Sequence, residues 1–313
     1  MMRAISIAVS ASLVLVTAAP ALAWWDEGHM QIAAVAYAQL TPGARAKADA
    51  LIRLHPLYAT WTASWPPEKA AQYAFIRAAT WADDIKAPDA GYQDDKPSSP
   101  AAGRNIGYFD DLKHGYWHYK DIGFSTDGTP LEPADPVNAV TQIKLLSGGL
   151  APSSGLPDEV RSYDLVWLLH LVGDAHQPLH ATARFSKDLP HGDQGGNKET
   201  VTPATGETIK LHAYWDGLLG SYSTPQGAIL DALVYDTKLP PADPARAAVA
   251  DPEAWFVESE AIAEQVVYAE PVQSGSQPYV LDRAYETKAR ETAREQAAVA
   301  GARLANLINQ ALQ

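Results

Sequence analysis

Apolar and polar positions follow one another along most of this chain with the period of a helix. Ile32, Val35, Ala36 and Leu40 fall on one helical face. Thr41-Pro42 closes that helix and opens the next, with Thr41 as N-cap and Pro42 in the first position, and the pattern continues from Ala44 to Leu54. Glu68 to Ile85 reads as a helix with Tyr73, Ile76 and Trp81 on its apolar side. Proline, glycine, serine and aspartate from Pro88 to Gly107 predict a long loop. Asp135-Pro136 is expected to cap a helix running to about Leu146, and a further helix spans Leu156 to Ala175. Residues 186–197 form a polar, glycine-rich loop. Thr200-Val201 and Thr208 to Leu211 flank Pro203-Ala204-Thr205-Gly206 as a short β-hairpin. Two late helices are expected, Pro252 to Ala269 and about Val280 to Leu312. With no internal repeat and no linker, the fold class is mainly α, a single helical domain with one short hairpin.

The pattern is broken in one place. Leu165, Val166, Leu168, Leu169, Leu171 and Val172 would bury the Leu156–Ala175 helix on nearly every side, yet it carries His170 and Asp174. Four residues apart, they share a face, one turn above the other. Polar groups on a buried helix are costly unless satisfied. Pro178 stops the helix and His180 follows. By itself this stretch fits either metal ligation or a hydrogen-bonded His–Asp pair in the core.

The first residues have a different character. Arg3, the apolar and small-residue run from Ile5 to Ala19, and Ala21-Leu22-Ala23 read as a signal peptide over residues 1–23, which makes Trp24 the mature N-terminus. No later segment has the apolar length of a membrane span. The mature protein is therefore expected to be exported, to a bacterial periplasm or the extracellular medium. Cysteine is absent, which excludes disulfides and thiolate metal sites. Loss of Arg3 leaves 23 basic against 37 acidic residues, a formal charge of −14. Such a surface repels nucleic acid at long range, so a phosphodiester substrate would need a local positive centre.

The nine histidines supply the candidate. His29 lies in Trp24-Trp25-Asp26-Glu27-Gly28-His29, Asp83 follows Trp81-Ala82, and His118 sits in Trp117-His118-Tyr119. His212 and Asp216 repeat the spacing of His170 and Asp174. Nitrogen and oxygen donors without sulfur suit Zn²⁺. With His180, the eight side chains His29, Asp83, His118, His170, Asp174, His180, His212 and Asp216 exceed the needs of one tetrahedral ion and point to two or three. The α-amino group of Trp24, which loses its proton near neutral pH, would add another donor.

The motifs WxxxGH, WAD, WHY, HxxGDxHQPLH, GGN and LHxxWD occur here in that order between Trp24 and Asp216. This chain thereby resembles the zinc-dependent, single-strand-preferring type I nucleases and 3′-nucleotidases of fungi, plants and bacteria, and more distantly the zinc phospholipases C. The resemblance implies a nuclease domain over 24–313 holding three Zn²⁺. Asp83, His118, His170 and Asp174 would hold the first ion, and His180, His212 and Asp216 the second. The third would take the amino nitrogen and carbonyl of Trp24, His29 and a shared Asp174.

The implied reaction is hydrolysis of single-stranded DNA and RNA to 5′-nucleotides, and of 3′-nucleotides to phosphate, by a hydroxide bridging two ions. Asp83, Asp174 and Lys86 are its candidate catalytic residues. Among candidate substrate contacts, Tyr119 would stack on a base and Asp121 would bond its edge, with Lys86 on phosphate and Asn197 on the rim. Tyr119 as core packing and Asn197 as a turn residue remain alternatives. Lys86 stands where relatives often have Arg, so its phosphate contact is a point charge rather than a fork. Relatives from fungi and plants usually have disulfides, and this chain has none. Two other readings compete: a zinc phospholipase C, and a zinc-binding protein without catalysis. No protein partner is inferred.

Overall fold

The computed structural model describes residues 24–221, 224–236 and 238–313, so the expected signal peptide lies outside the described residues. Helix makes up 54% and strand 6%, which makes the fold mainly α. Twelve α-helices are described: α1 (Asp26–Gln39), α2 (Pro42–Ile52), α3 (Tyr58–Thr62), α4 (Pro67–Ala78), α5 (Trp81–Asp84), α6 (Ala139–Leu150), α7 (Asp158–Asp174), α8 (Leu211–Asp216), α9 (Pro225–Ile229), α10 (Pro244–Ala247), α11 (Pro252–Ile262) and α12 (Arg283–Ala311).

Several expectations hold because local chemistry suffices. Thr41 Oγ1 accepts from Ala44 N at 3.2 Å, with Pro42 in the first turn. Three boundaries differ. The helix expected after Asp135-Pro136 begins at Ala139 instead and runs to Leu150. Its cap is Asn138, which accepts from Val140 N and Thr141 N while Thr141 Oγ1 accepts from Asn138 N. That reciprocal capping box satisfies more helix-end donors than an Asp-Pro pair would. The segment Glu68 to Ile85 is two helices, α4 and α5, divided at Ala79-Thr80. The break frees Ala79 O, which His170 Nδ1 then takes at 2.7 Å. The last helix starts at Arg283, because Asp282 caps it by accepting from Tyr285 N at 2.8 Å.

The centre of the fold is α7, unbroken in burial from Ser162 to Asp174 and packed by α1, α2, α5, α6 and α12. Close approach is made possible by glycine. A Cβ on Gly173 would lie 2.8 Å from His29 Nδ1, and one on Gly301 would lie 2.6 Å from Val35 Cγ1. Strands are β1 (Ile122–Ser125), β2 (Thr182–Phe185), β3 (Thr200–Thr202), β4 (Ile209–Lys210) and β5 (Tyr279–Val280). The antiparallel hairpin β3–β4 is the expected one. Two parallel pairings were not expected, β1 with β2 and β3 with β5. The first pairs Ile122 with Thr182 and so registers the segment after Asp121 against the one after His180. Parallel pairs join strands distant in sequence, so no local turn signal announces them.

Two stability predictions follow from this packing. Gly301→Ala should destabilise the protein by about 1–3 kcal/mol in urea unfolding, because the methyl has nowhere to go between Val35 and Ile32 O. The buried His55 accepts from Leu57 N at 3.0 Å, and burial, then Arg77, lowers its pKa to about 3. The unfolded chain therefore binds a proton near pH 6.5 that the folded one refuses, so stability falls with falling pH from about 6.5 towards 3. His55→Gln should flatten the acid limb of a stability–pH curve by up to about 1.4 kcal/mol per pH unit.

Candidate metal centre

Five chain segments deliver the predicted donors to one place. Near the start of α1, His29 reaches the C-terminal turn of α7 over Gly173. The Trp24 indole is fully buried and donates to Gly173 O at 3.1 Å, while Trp25 N donates to Asp216 O at 3.1 Å. The chain at Trp24 is thus pinned between α7 and α8. Asp83 lies on α5, His118 ends the 3₁₀ turn Gly115–His118, and His180 ends the 3₁₀ turn Pro178–His180. The β3–β4 hairpin feeds directly into α8, which presents His212 and Asp216.

All eight side chains are buried. Asp174 stands in the middle, with Oδ1 3.3 Å from His29 Nε2 and Oδ2 2.9 Å from His118 Nδ1 and 3.2 Å from His170 Nε2. His170 Nε2 and His118 Nδ1 approach to 3.0 Å, and Asp83 Oδ1 lies 3.7 and 3.9 Å from them. His212 Nε2 is 3.5 Å from Asp216 Oδ2, and the His180 and His212 ring centroids are 5.0 Å apart. Three groups have donor atoms all within 4.8 Å of one another: His29, Asp83 and His170; His118, His170 and Asp174; and His180, His212 and Asp216. The last has the residues of the second expected set, and the middle one those of the first expected set without Asp83. The first brings His29 towards Asp83 as well, because His29 stacks on His170 at 3.8 Å.

Backbone carbonyls fix the imidazoles. His170 Nδ1 donates to Ala79 O, His180 Nδ1 to His118 O at 2.8 Å and His212 Nδ1 to Gly195 O at 2.6 Å. The Nε2 atoms of neutral His180 and His212 then face the cluster as lone pairs, as ligation requires, while His170 Nε2 lies against His118 Nδ1. His29 Nε2, Asp174 Oδ1, His180 Nε2 and His212 Nε2 are buried without a hydrogen-bond partner. Unpartnered imidazole nitrogens and a carboxylate oxygen gathered in a core are what divalent cations satisfy.

Charge follows the same logic. Burial, then Lys86, lowers His118 to about 3, and burial, then the neighbouring His180, does the same to His212. Both are neutral at neutral pH, the form in which an imidazole can take a metal. Burial alone would raise Asp174, but His170 and His180 outweigh it and hold the carboxylate well below its ordinary range. Burial pushes Asp216 upward, opposed by Gln177.

The donors open into a cavity of about 410 Å³ lined by Lys86, Tyr119, Asp121, His180, Asn197 and His212 among others. Lys86 Nζ donates to Asp83 Oδ1 at 2.8 Å, so the one expected cation stands beside the donors. Beside it, a smaller cavity of about 150 Å³ is lined by Tyr119, Asp121, Glu132, Asp135, Phe185, His191 and Gln194. Burial, then Asp193 and Asp135, pushes Asp121 up to about 7. Tyr119 is half-buried and lines both cavities, so core packing alone does not describe it. Asn197 lies at the mouth, but its backbone N and Nδ2 both donate to Gln194 O, which is the turn role.

Supporting residues escaped the sequence reading. Gln177 Nε2 donates to Asp216 Oδ1 at 2.7 Å and orients that carboxylate. The only sequence signal was an amide set between Asp174 and His180. Arg303 of α12, fully buried, donates to His176 Nε2 at 2.8 Å and to Glu258 Oε2 at 2.7 Å, and so braces the end of α7 from beneath. Nothing local distinguishes Arg303 from the other charges of α12.

Comparison with individually curated proteins returns no match. The sequence model of the family described as S1/P1 Nuclease matches residues 24–313, beginning at the residue whose indole is anchored on α7. Its members are metal-dependent nucleases and generally secreted, and the buried His/Asp cluster is in keeping with metal dependence. No helix among the described residues is long and apolar enough to cross a membrane. Spanning that whole match, the chain belongs to the S1/P1 nuclease family and is a nuclease that hydrolyses nucleic acid.

Proposed function

We propose that the mature protein begins at Trp24, is exported, and is a zinc-dependent phosphodiesterase acting on single-stranded DNA and RNA, with 3′-nucleotidase activity. The observation behind this reading is the set of unpartnered atoms around Asp174, those of His180 and His212 lying opposite ring nitrogens already tied to carbonyls. Three Zn²⁺ per chain would be held by Asp83, His118, His170 and Asp174; by His180, His212 and Asp216; and by Trp24, His29 and Asp174. Bound divalent cations would lower the pKa of water and withdraw charge from the phosphate.

The chain's own residues do the rest. Asp174, with its oxygens directed at different imidazoles, holds neighbouring donor sets at a fixed separation. Lys86 offers a positive charge to the incoming phosphate at the mouth, in a mature protein whose formal charge of −14 would otherwise repel it. Tyr119 offers a ring face to a base and Asp121 a carboxyl to its edge. A base paired in a duplex cannot enter a side cavity, which accounts for a single-strand preference. Asn197 shapes the rim by closing the turn at Gln194.

Metal content, activity and an Asp174 variant test this. Elemental analysis of protein processed at Trp24 should find three zinc per chain. A chelator should abolish release of 5′-nucleotides from single strands, and Zn²⁺ should restore it. Cleavage of phosphatidylcholine but not of single strands would select the phospholipase reading instead. Asp174→Asn should lower bound zinc and cut kcat by more than the roughly 10–100-fold typical of outer-shell changes. Full activity with full zinc in that variant would overturn the bridging role.

A further inference from the structure

The loop 186–197 turns through four left-handed residues: Gly192 (φ 76°), Gln194 (φ 56°), Gly195 (φ 59°) and Gly196 (φ 78°). Three are glycine, the residue that takes this conformation freely. Gly195 has a further reason, since a Cβ there would lie 2.3 Å from Leu179 O. Its carbonyl has to reach His212 Nδ1, and the loop is shaped to bring it there. A glycine at 194 would serve that backbone path better than any other residue. Instead the position holds a long carboxamide in a conformation that L side chains resist.

The backbone of Gln194 is fully used, its carbonyl taking both N–H donors of Asn197. Its side chain is not. The carboxamide is exposed and forms no hydrogen bond to any described residue. It lines the cavity beside Tyr119 and Asp121 as well as the mouth above the donor cluster. His191, from the same loop, lines both cavities and bonds Glu132 across the smaller one, Nδ1 to Oε1 at 2.8 Å. The loop thus forms one wall of the smaller cavity, and Tyr119 and Asp121 belong to the other.

We propose that Gln194 is a specificity-determining residue, whose free carboxamide reads the edge of the base lodged between Tyr119 and the glycine loop. This rests on the base-cavity reading given above. A carboxyl such as that of Asp121 donates only while protonated, whereas a carboxamide offers a donor and an acceptor in one plane whatever the pH. Base edges differ in the order of their donors and acceptors, so this plane discriminates between bases where stacking on Tyr119 does not. Strain at a cavity-lining position is accepted where the side chain has work that glycine cannot do.

The test compares kcat/KM for the four 3′-nucleotides, together with Tm and zinc content, in the zinc-loaded protein and in Gln194→Gly, Gln194→Ala and Tyr119→Ala. Gln194→Gly should raise Tm by about 2 °C as strain is released. It should also raise KM about tenfold for the favoured base and bring the four values together, with zinc unchanged. Gln194→Ala keeps the strained backbone, so it should reproduce the KM change without the Tm gain. If both variants keep the parent's spread between bases, whether KM is constant or raised equally for all four, the proposal is overturned. Tyr119→Ala separates the two levels. Weakened binding of every base there, with an unaltered spread in the Gln194 variants, sinks only the role of Gln194. Unchanged KM in Tyr119→Ala sinks the base cavity itself.

Discussion

A carboxylate buried at the end of the central helix sets the terms for the whole fold. Asp174 sits where no water reaches, with one oxygen turned to His29 and the other to His118 and His170. A buried charge of this kind costs several kcal/mol unless surrounded by matched partners. The partners come from α1, the 3₁₀ turn before Tyr119 and α7 itself, so these elements can pack in only one way. Gly173 is part of that constraint, since its missing side chain leaves the space His29 occupies.

The surrounding structure spends its backbone on the imidazoles. The break between α4 and α5 exposes Ala79 O to His170, the turn at His118 offers its carbonyl to His180, and the glycine loop offers Gly195 O to His212. Each is irregular backbone whose carbonyl would otherwise need another partner in the core. Irregularity and site are thus one feature: a helix without the break would have used Ala79 O internally. Beneath, Arg303 ties α12 and α11 to His176, so the C-terminal third of the chain supports the centre although it adds no candidate donor.

Access is decided on the other side. The parallel pair β1–β2 carries the chain away from Asp121 and from His180 in register, leaving Tyr119 and Asp121 at the edge of the opening. The glycine loop closes that edge, and Lys86 places one positive charge at the mouth of an acidic molecule. Long-range repulsion by the acidic surface and short-range attraction at Lys86 then operate at different distances.

By itself the sequence determined the kinds of donors and most of the helices. His170 with Asp174 and His212 with Asp216 were legible because four-residue spacing is a property of the helix alone. Thr41-Pro42 and the β3–β4 hairpin were legible because caps and turns are local. Asp135-Pro136 and Asn138 are both cap signals, three residues apart, and only packing selects Asn138. The meeting of His29, Asp83 and His118 with α7 was implied only by the order of motifs across the whole chain, and the parallel strand pairings, the bracing by Arg303 and the strain at Gln194 were decided by tertiary structure alone. Each depends on segments many residues apart being brought together by burial of the core, and no periodicity or turn signal within one segment records its distance from another.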